Sequence, residues 1–141
     1  MEIFDPIKIA ANCPIFIIDD QIDEFELITI GFKRSKLRQK LFHFLSGKLF
    51  FEYLESENLY FQSKFSLVLV DINMHGIGGF EVLERIKTQE DFHEFQICIM
   101  SNVDDFKDIE KAKEGKAHAF IKKPLKVSGY TEFFDDIIVI D

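Results

Sequence analysis

Three carboxylates follow two short apolar runs of the chain, at the point where each run ends. Asp19 and Asp20 close the run 15–18, and Asp71 closes the run 67–70. Runs this short and apolar are typical of strands buried on both faces, and parallel neighbours would bring all three carboxylates to one sheet edge. Because clustered carboxylates repel one another, the pattern predicts a site for a hard divalent cation such as Mg²⁺. Taken alone, the pair Asp19 and Asp20 is also compatible with solvated charge at a strand end.

Two further polar residues end apolar runs later in the chain. Ser101 ends the run 97–100, and Lys123 ends the predicted strand that begins at residue 119 and precedes Pro124. An ammonium at the same edge as the carboxylates would offset their repulsion and could bind a phosphoryl oxygen. Pro124 is a candidate for a cis peptide bond that orients this lysine. No histidine and aspartate accompany Ser101 in a pattern that indicates a hydrolase triad.

Apolar runs alternate with segments of helical spacing from residue 15 to the end of the chain. The five predicted strands cover residues 15–19, 41–45, 67–71, 96–101 and 119–122. The five predicted helices cover approximately residues 23–37, 47–54, 80–88, 104–114 and 130–138. This alternation predicts an α/β fold, a doubly wound parallel sheet with right-handed crossovers and helices on both faces. All the strand-end polar residues then lie at one edge of the sheet.

The length and composition indicate one globular domain. Of the 141 residues, 47% are hydrophobic, which is enough for a substantial core. We predict an N-terminal lead-in over residues 1–14 and a single domain over residues 15–141. The net charge of −8 argues against nucleic acid and anionic membranes as partners. The sequence shows no membrane span or signal peptide, and its two cysteines lack metal-type spacing, which favours a cytoplasmic location.

One segment matches a known protease recognition sequence and is not used in the functional prediction. Glu57–Ser63, with the sequence ENLYFQS, matches the recognition sequence of a viral processing protease. It was either introduced into the chain or matches by coincidence, and we assign it no functional role. If the segment is exposed, that protease should cut after Gln62.

Several short motifs together resemble the receiver domain of the bacterial response regulators. In chain order they are Ile17–Asp20, Val70–Met74, Gly79–Leu83, Ser101 and Phe120–Pro124. Each motif is weak alone, but their order and spacing are specific, and the resemblance covers nearly everything from residue 15 onwards. It implies a flavodoxin-like (βα)5 fold with a five-stranded parallel sheet in the order 2-1-3-4-5. It also implies a phosphoprotein that acts in a two-component or phosphorelay signalling system.

The resemblance assigns a phosphoryl acceptor and a set of metal ligands. Asp71 would accept the phosphoryl group as an aspartyl phosphate and would also bind Mg²⁺. Asp20 would bind the metal directly, and Asp19 would bind it directly or through water. The backbone carbonyl of Asn73 would complete the protein ligands.

The resemblance also assigns residues that respond to the phosphoryl group. Ser101 would bond to the phosphoryl group, and Lys123 would pair with it and with Asp71. Phe120 lies where the family carries an aromatic switch, which would fill the space that Ser101 leaves when it moves.

Three departures from the family pattern flank this site. His75 replaces the usual proline and is most simply an exposed turn residue, Gly78 and Gly79 replace the usual Asp-Gly, and the pair 102–103 differs from the usual small-plus-acidic pair. Because these positions surround the acceptor, the lifetime of the phosphoryl group in this chain cannot be inferred from the family.

The predicted function is a receiver that takes a phosphoryl group from a sensor histidine kinase or a phosphotransfer protein. It would signal to an unidentified downstream protein through protein–protein contacts, as a monomer or a weak homodimer, and would not be an enzyme. One alternative is a receiver-like binding module that works without phosphorylation. Another is an enzyme of the same architecture, such as a flavin protein or a phosphohydrolase. The enzyme is disfavoured because no phosphate-binding glycine loop follows the first strand and Asn73 stands where a phosphohydrolase usually has a second aspartate.

Overall fold

The computed structural model of the chain describes residues 1–57, 65–89 and 94–140. The protease-like segment therefore lies outside the described residues, apart from the backbone of Glu57. The strands are β1 (Glu2–Ile3), β2 (Lys8–Ala10), β3 (Ile15–Ile18), β4 (Leu41–Phe44), β5 (Leu67–Asp71), β6 (Gln96–Ser101), β7 (Ala119–Lys122) and β8 (Ile138–Ile140). The helices are α1 (Ile22–Lys33), α2 (Gly47–Glu57), α3 (Gly79–Thr88), α4 (Phe106–Glu114) and α5 (Val127–Asp135).

The central sheet has the order β1-β7-β6-β5-β3-β4, and all its pairs except β1 with β7 are parallel. Counted over the five parallel strands alone, this is the predicted order 2-1-3-4-5, which confirms the doubly wound fold. The sheet differs from the expectation by one antiparallel edge strand, β1, so it has six strands. The carboxyl ends of β3, β5, β6 and β7 lie at one edge, where open α/β sheets bind ligands.

The N-terminal segment is part of the folded structure rather than a lead-in. Strand β1 pairs with β7, and the backbone N–H groups of Phe4 and Asp5 donate to the carbonyl oxygen of His118 at 2.9 and 3.1 Å. Strand β2 pairs in parallel with β8, and the side chain of Ile9 on β2 is fully buried in the core. The apolar residues Ile7 and Ile9 are on one side of this segment, which is the local signal that the prediction overlooked.

The last predicted helix ends earlier than expected. Helix α5 stops at Asp135, and β8 follows at Ile138–Ile140. A run of β-branched residues loses side-chain freedom in a helix and packs well in a strand, which explains the change. The other helices lie within a few residues of their predicted ranges.

The core forms two layers, one on each face of the sheet. Along β3, Ile15 and Ile17 contribute to the layer beneath α1 and α5, whereas Phe16 and Ile18 contribute to the layer beneath α2, α3 and α4. Rings from several elements surround Phe16, and they belong to Phe42, Phe44, Phe50, Tyr53 and Phe95. A strand buried on both faces accounts for the uninterrupted apolar run in the sequence. None of the described helices has the length and hydrophobicity that crossing a bilayer requires.

Candidate functional site

The three strand-end carboxylates converge at the carboxyl edge of the sheet. Asp19 and Asp20 follow β3, and Asp71 is the last residue of the neighbouring strand β5. One carboxylate oxygen from each lies within 4.8 Å of the other two. Asp19 and Asp71 are buried, whereas Asp20 is partly open to solvent. The predicted acidic cluster is therefore present in the structure.

Lys123 joins two of these carboxylates. Its Nζ donates to Oδ2 of Asp19 at 2.8 Å and lies 3.3 Å from Oδ2 of Asp71, and its side chain is only 2% exposed. Its backbone N–H donates to the carbonyl oxygen of Ser101 at 2.7 Å, which ties the end of β7 to the end of β6. The Lys123–Pro124 peptide bond is trans, so the suggestion of a cis bond was wrong. The lysine is held by its two ion pairs and this backbone bond instead.

Backbone N–H groups of the adjoining loops hold one oxygen of each carboxylate. Gln21 donates to Oδ1 of Asp19 at 2.9 Å, and Asn73 donates to Oδ1 of Asp71 at 3.2 Å. Both bonds close short turns in which an aspartate side chain accepts from the residue two positions later. The N–H of His75 reaches across from another loop to Oδ2 of Asp20 at 3.3 Å.

Burial and charge shift the ionisation of the acceptor and the lysine. Burial raises the pKa of Asp71, although the hydrogen bond from Asn73 and the charge of Lys123 act against this shift. For Lys123, burial disfavours the ammonium, but the hydrogen bond to Asp19 and the charges of Asp19 and Asp71 outweigh it and raise its pKa. Lys123 therefore stays positively charged beside a carboxylate that is poorly solvated.

The residues present fit a hard divalent cation. Three carboxylates and one ammonium leave the cluster with an excess of negative charge. A divalent cation on the carboxylate oxygens would compensate that excess, and oxygen donors are the ligands that such cations prefer. The partly open Asp20 gives a cation a route of entry from solvent.

Two other predicted site residues lie close to this edge without touching the cluster in the described contacts. Ser101 ends β6 next to the end of β5, but its hydroxyl oxygen accepts the N–H of Val103 at 3.2 Å within its own loop. Phe120 is buried in the core layer beneath α2, α3 and α4 rather than at the carboxylates. The structure therefore brings Asp19, Asp20, Asp71 and Lys123 together, whereas Ser101 bonds within its own loop and Phe120 lies in the core.

The family model of the response regulator receiver domain matches residues 15–133. The chain belongs to the response regulator receiver domain family. This receiver domain is 31% identical over 78 residues to the two-component response regulator ARR6 of Arabidopsis thaliana, an alignment that covers 55% of this chain and 42% of that protein. The chain thus spans less than half the length of this curated relative.

Solved response regulators have the same fold as this receiver domain. The Mn²⁺-bound form of Rcp1 superimposes with a TM-score of 0.71 and 19% identity, over 87% of this chain and 89% of that chain. The phosphorylated cyanobacterial phytochrome response regulator RcpA superimposes with a TM-score of 0.73 and 22% identity, over 88% and 89% of the two chains. At these identities the likeness shows the fold alone.

Sequence reasoning missed several residues that contact the receiver site. His75 supplies a backbone N–H to Asp20, and the proline that the family usually carries there has no N–H to donate. His43 contacts the carbonyl oxygen of Asp19 from the neighbouring strand. Sequence reasoning also missed a bond that does not involve the site residues: the hydroxyl of Tyr130 donates to Glu24 at 2.6 Å and links α5 to the first turn of α1. The pairing of β3 with β4 places His43 beside the end of β3, and no local pattern in the sequence indicates that contact.

Proposed function

We propose that this receiver domain accepts a phosphoryl group on Asp71 from the phosphohistidine of a histidine kinase or a phosphotransfer protein. The observation that supports this most is the buried Lys123, which bridges Asp71 and Asp19 beside the partly open Asp20. An acceptor carboxylate, a fixed cation and a set of metal ligands are what phosphoryl transfer requires, because its transition state is stabilised mainly by positioning and charge.

The residues that would hold Mg²⁺ are Asp20, Asp71 and the backbone carbonyl of Asn73, with Asp19 acting directly or through water. When bound, the metal supplies positive charge that stabilises the equatorial oxygens of the transferring phosphoryl group. The turn that Asn73 closes on Asp71 keeps this residue next to the acceptor.

The transfer itself is a substitution at phosphorus. A carboxylate oxygen of Asp71 attacks in line, the P–N bond to the donor imidazole breaks, and the imidazole leaves with the bonding electron pair and takes up a proton. The raised pKa of Lys123 keeps its ammonium charged through this step, where it faces the growing charge on the phosphoryl oxygens. Poor solvation of Asp71 removes part of the water shell that would otherwise shield its carboxylate.

The response to phosphorylation would pass through Ser101 and Phe120. The hydroxyl of Ser101 is held only by the N–H of Val103 in the described contacts, so it is able to turn toward a phosphoryl oxygen on the adjacent strand end. Phe120 would then repack into the space beside β6. This couples the site to the surface formed by α4, β7 and α5.

Large apolar side chains on the loops and helix starts around the site are available to contact the phosphoryl donor. The exposed fractions are 58% for Ile22, 56% for Val103, 73% for Phe106 and 96% for Leu125. Exposed apolar groups gathered at one edge are typical of protein-binding surfaces. They support protein–protein contact as the means of signalling. The chemistry in this proposal is phosphorylation and dephosphorylation of the receiver itself, and its proposed location is the cytoplasm.

The decisive experiment is intact-mass spectrometry after incubation with acetyl phosphate and Mg²⁺. The wild-type chain should gain one phosphoryl group, and Asp71→Asn should gain none. Asp136→Asn, which changes an exposed carboxylate after α5, should be labelled like the wild type.

Two results would contradict the proposal. Labelling of Asp71→Asn would place the acceptor elsewhere. A wild-type chain that binds Mg²⁺ but is labelled by neither acetyl phosphate nor a phosphorylated donor would favour the phosphorylation-independent binding module.

A further inference from the structure

His43 lies on the edge strand β4 and reaches the end of β3. Its Nε2 is 2.7 Å from the backbone carbonyl oxygen of Asp19. A carbonyl oxygen only accepts hydrogen bonds, so Nε2 must carry a hydrogen and donate it. This carbonyl belongs to the peptide that joins Asp19 to Asp20.

The contact takes the place of a backbone hydrogen bond that the β3–β4 ladder lacks at its end. These strands are parallel, with Ile18 opposite Phe44, and the N–H of Asp19 donates to the carbonyl oxygen of Phe44 at 3.1 Å. In a continued parallel ladder, the carbonyl of Asp19 would accept from the N–H of Ser46. Strand β4 ends at Phe44, however, and the chain bends there toward α2. The imidazole of His43 provides the donor that the backbone no longer offers.

Helix α1 fixes the imidazole in this position. The ring of Phe25 stacks on it with centroids 4.1 Å apart and an interplanar angle of 9°. A half-buried ring packed face to face has little freedom to turn away from its acceptor. The donor is therefore held at the carbonyl by the packing of α1 as well as by the hydrogen bond.

We propose that His43 is a positioning residue of the metal site, acting through the Asp19–Asp20 peptide; this rests on the metal site of the proposed function. Rotation of that peptide would move both adjacent carboxylates at once. It would change the bond between Asp19 and Lys123 and would redirect Asp20, the carboxylate most open to a cation. Partners that orient ligands without touching the metal contribute strongly to metal affinity.

A matched pair of variants separates the effect of the hydrogen-bond donor of His43 from the effect of its stacked ring. His43→Phe keeps a ring to stack on Phe25 and removes the donor, whereas His43→Gln keeps an N–H donor at similar reach and removes the stacking ring. We expect His43→Phe to weaken Mg²⁺ binding by roughly tenfold in calorimetric titration. His43→Gln should stay within about threefold of the wild type, because the carbonyl again has a donor.

The same variants are compared without metal by amide hydrogen exchange at Asp20. Exchange there should be faster in His43→Phe than in wild type and His43→Gln, since the peptide before it is no longer held. Because it needs no metal, this measurement tests whether His43 holds the Asp19–Asp20 peptide even if the wild-type chain fails to bind Mg²⁺. Failure of the wild type to bind Mg²⁺ would contradict the proposed metal site instead. Asp20→Ala serves as the reference for a lost ligand.

Three outcomes overturn the inference. One is wild-type Mg²⁺ affinity in His43→Phe, and another is an equal loss in both variants, which would mean that the stacked ring matters and the donor does not. The third applies to the wild type alone and does not depend on any variant folding. A nitrogen NMR spectrum that shows His43 with its hydrogen on Nδ1 rather than Nε2 would rule out the bond to Asp19.

Discussion

Lys123 balances the charges of the site, and its burial makes this balance costly to disturb. Its ammonium lies within 2.8 Å of Asp19 and 3.3 Å of Asp71, and all three side chains are almost fully buried. Removing one member of such a pair leaves an uncompensated buried charge, which typically costs about 3–5 kcal/mol. Apolar residues of similar volume would often be at least as stable at such positions. We infer that these charges serve phosphoryl chemistry more than the stability of the fold.

Another buried ionisable residue, His118, makes the stability of the domain depend on pH. Its Nδ1 accepts the N–H of Ile97 at 3.2 Å. Burial and, to a smaller extent, the charge of Lys87 lower the pKa of His118 to about 4, and the charge of Asp5 acts in the opposite direction. The unfolded chain binds this proton near pH 6.5, whereas the folded chain resists it. The contribution of His118 to stability is therefore complete above pH 6.5 and is lost as the pH falls toward 4.

We expect the free energy of unfolding of the wild type to fall between pH 7 and pH 4 by about 2–3 kcal/mol more than that of His118→Asn. Asparagine keeps an oxygen acceptor for the N–H of Ile97 but cannot be protonated in this range. Urea unfolding at several pH values measures the difference. Parallel stability profiles for the two proteins would mean that His118 titrates normally.

At the scale of elements, α1 and α5 pack closely on one face of the sheet because a glycine lies at their contact. A Cβ atom on Gly31 would lie 2.5 Å from Cβ of Tyr130 and 3.0 Å from the carbonyl oxygen of Val127. The hydroxyl of Thr131 donates to the carbonyl oxygen of Gly31 at 2.8 Å across the same contact. The two backbones approach so closely that a side chain at position 31 has no room.

We expect Gly31→Ala to destabilise the domain by about 1–3 kcal/mol, the usual cost of overpacking. In an open helix the same change would stabilise by about 1 kcal/mol, so the sign of the effect tests the contact. Thermal unfolding measures it, with the exposed substitution Glu26→Ala on the same helix as the control. A higher melting temperature for Gly31→Ala would show that the helices lie further apart.

The extra strand β1 changes which edge of the sheet is free. Without it, β7 would be an edge strand with unpaired backbone groups beside α4. Instead, Glu2 and Ile3 pair with Phe120 and Ala119, so the strand that carries Phe120 has a neighbour on both sides. The N-terminal segment thus belongs to the surface that we propose changes on phosphorylation.

The whole molecule carries a net negative charge, and part of that charge is concentrated at one site. The chain carries a net charge of −8, and three of its carboxylates meet within 4.8 Å. Mutual repulsion at that site opposes folding, and a cation that binds only the folded chain relieves it. Mg²⁺ binding should therefore raise the global stability of the domain.

We expect saturating Mg²⁺ to raise the melting temperature of the wild type, since a ligand at about 100 times its dissociation constant adds about 2.7 kcal/mol. The increase should be much smaller in Asp20→Ala, which lacks a proposed direct ligand. Asp23→Ala, which removes an exposed carboxylate at the start of α1, should respond like the wild type. Differential scanning calorimetry at constant ionic strength makes the comparison, and equal increases in all three proteins would place the metal elsewhere.

Local patterns in the sequence determined most of the architecture and the chemistry of the site. Continuous apolar runs predicted the buried parallel strands, because both faces of such strands are covered by helices. The polar residues that end those runs, Asp19, Asp20, Asp71 and Lys123, had to share one edge once the strands were parallel. The motifs that resemble receiver domains supplied the strand order, which the structure confirms.

Only the tertiary structure decided the contacts between segments that are distant in the chain. The pairing of β2 with β8, the bond from His43 to Asp19 and the ion pair of Lys123 with Asp19 depend on which strands are neighbours and where each strand ends. Side-chain periodicity is set by adjacent residues and can be detected locally. Register and ladder ends are set by the packing of the whole domain, which no short stretch of the sequence encodes.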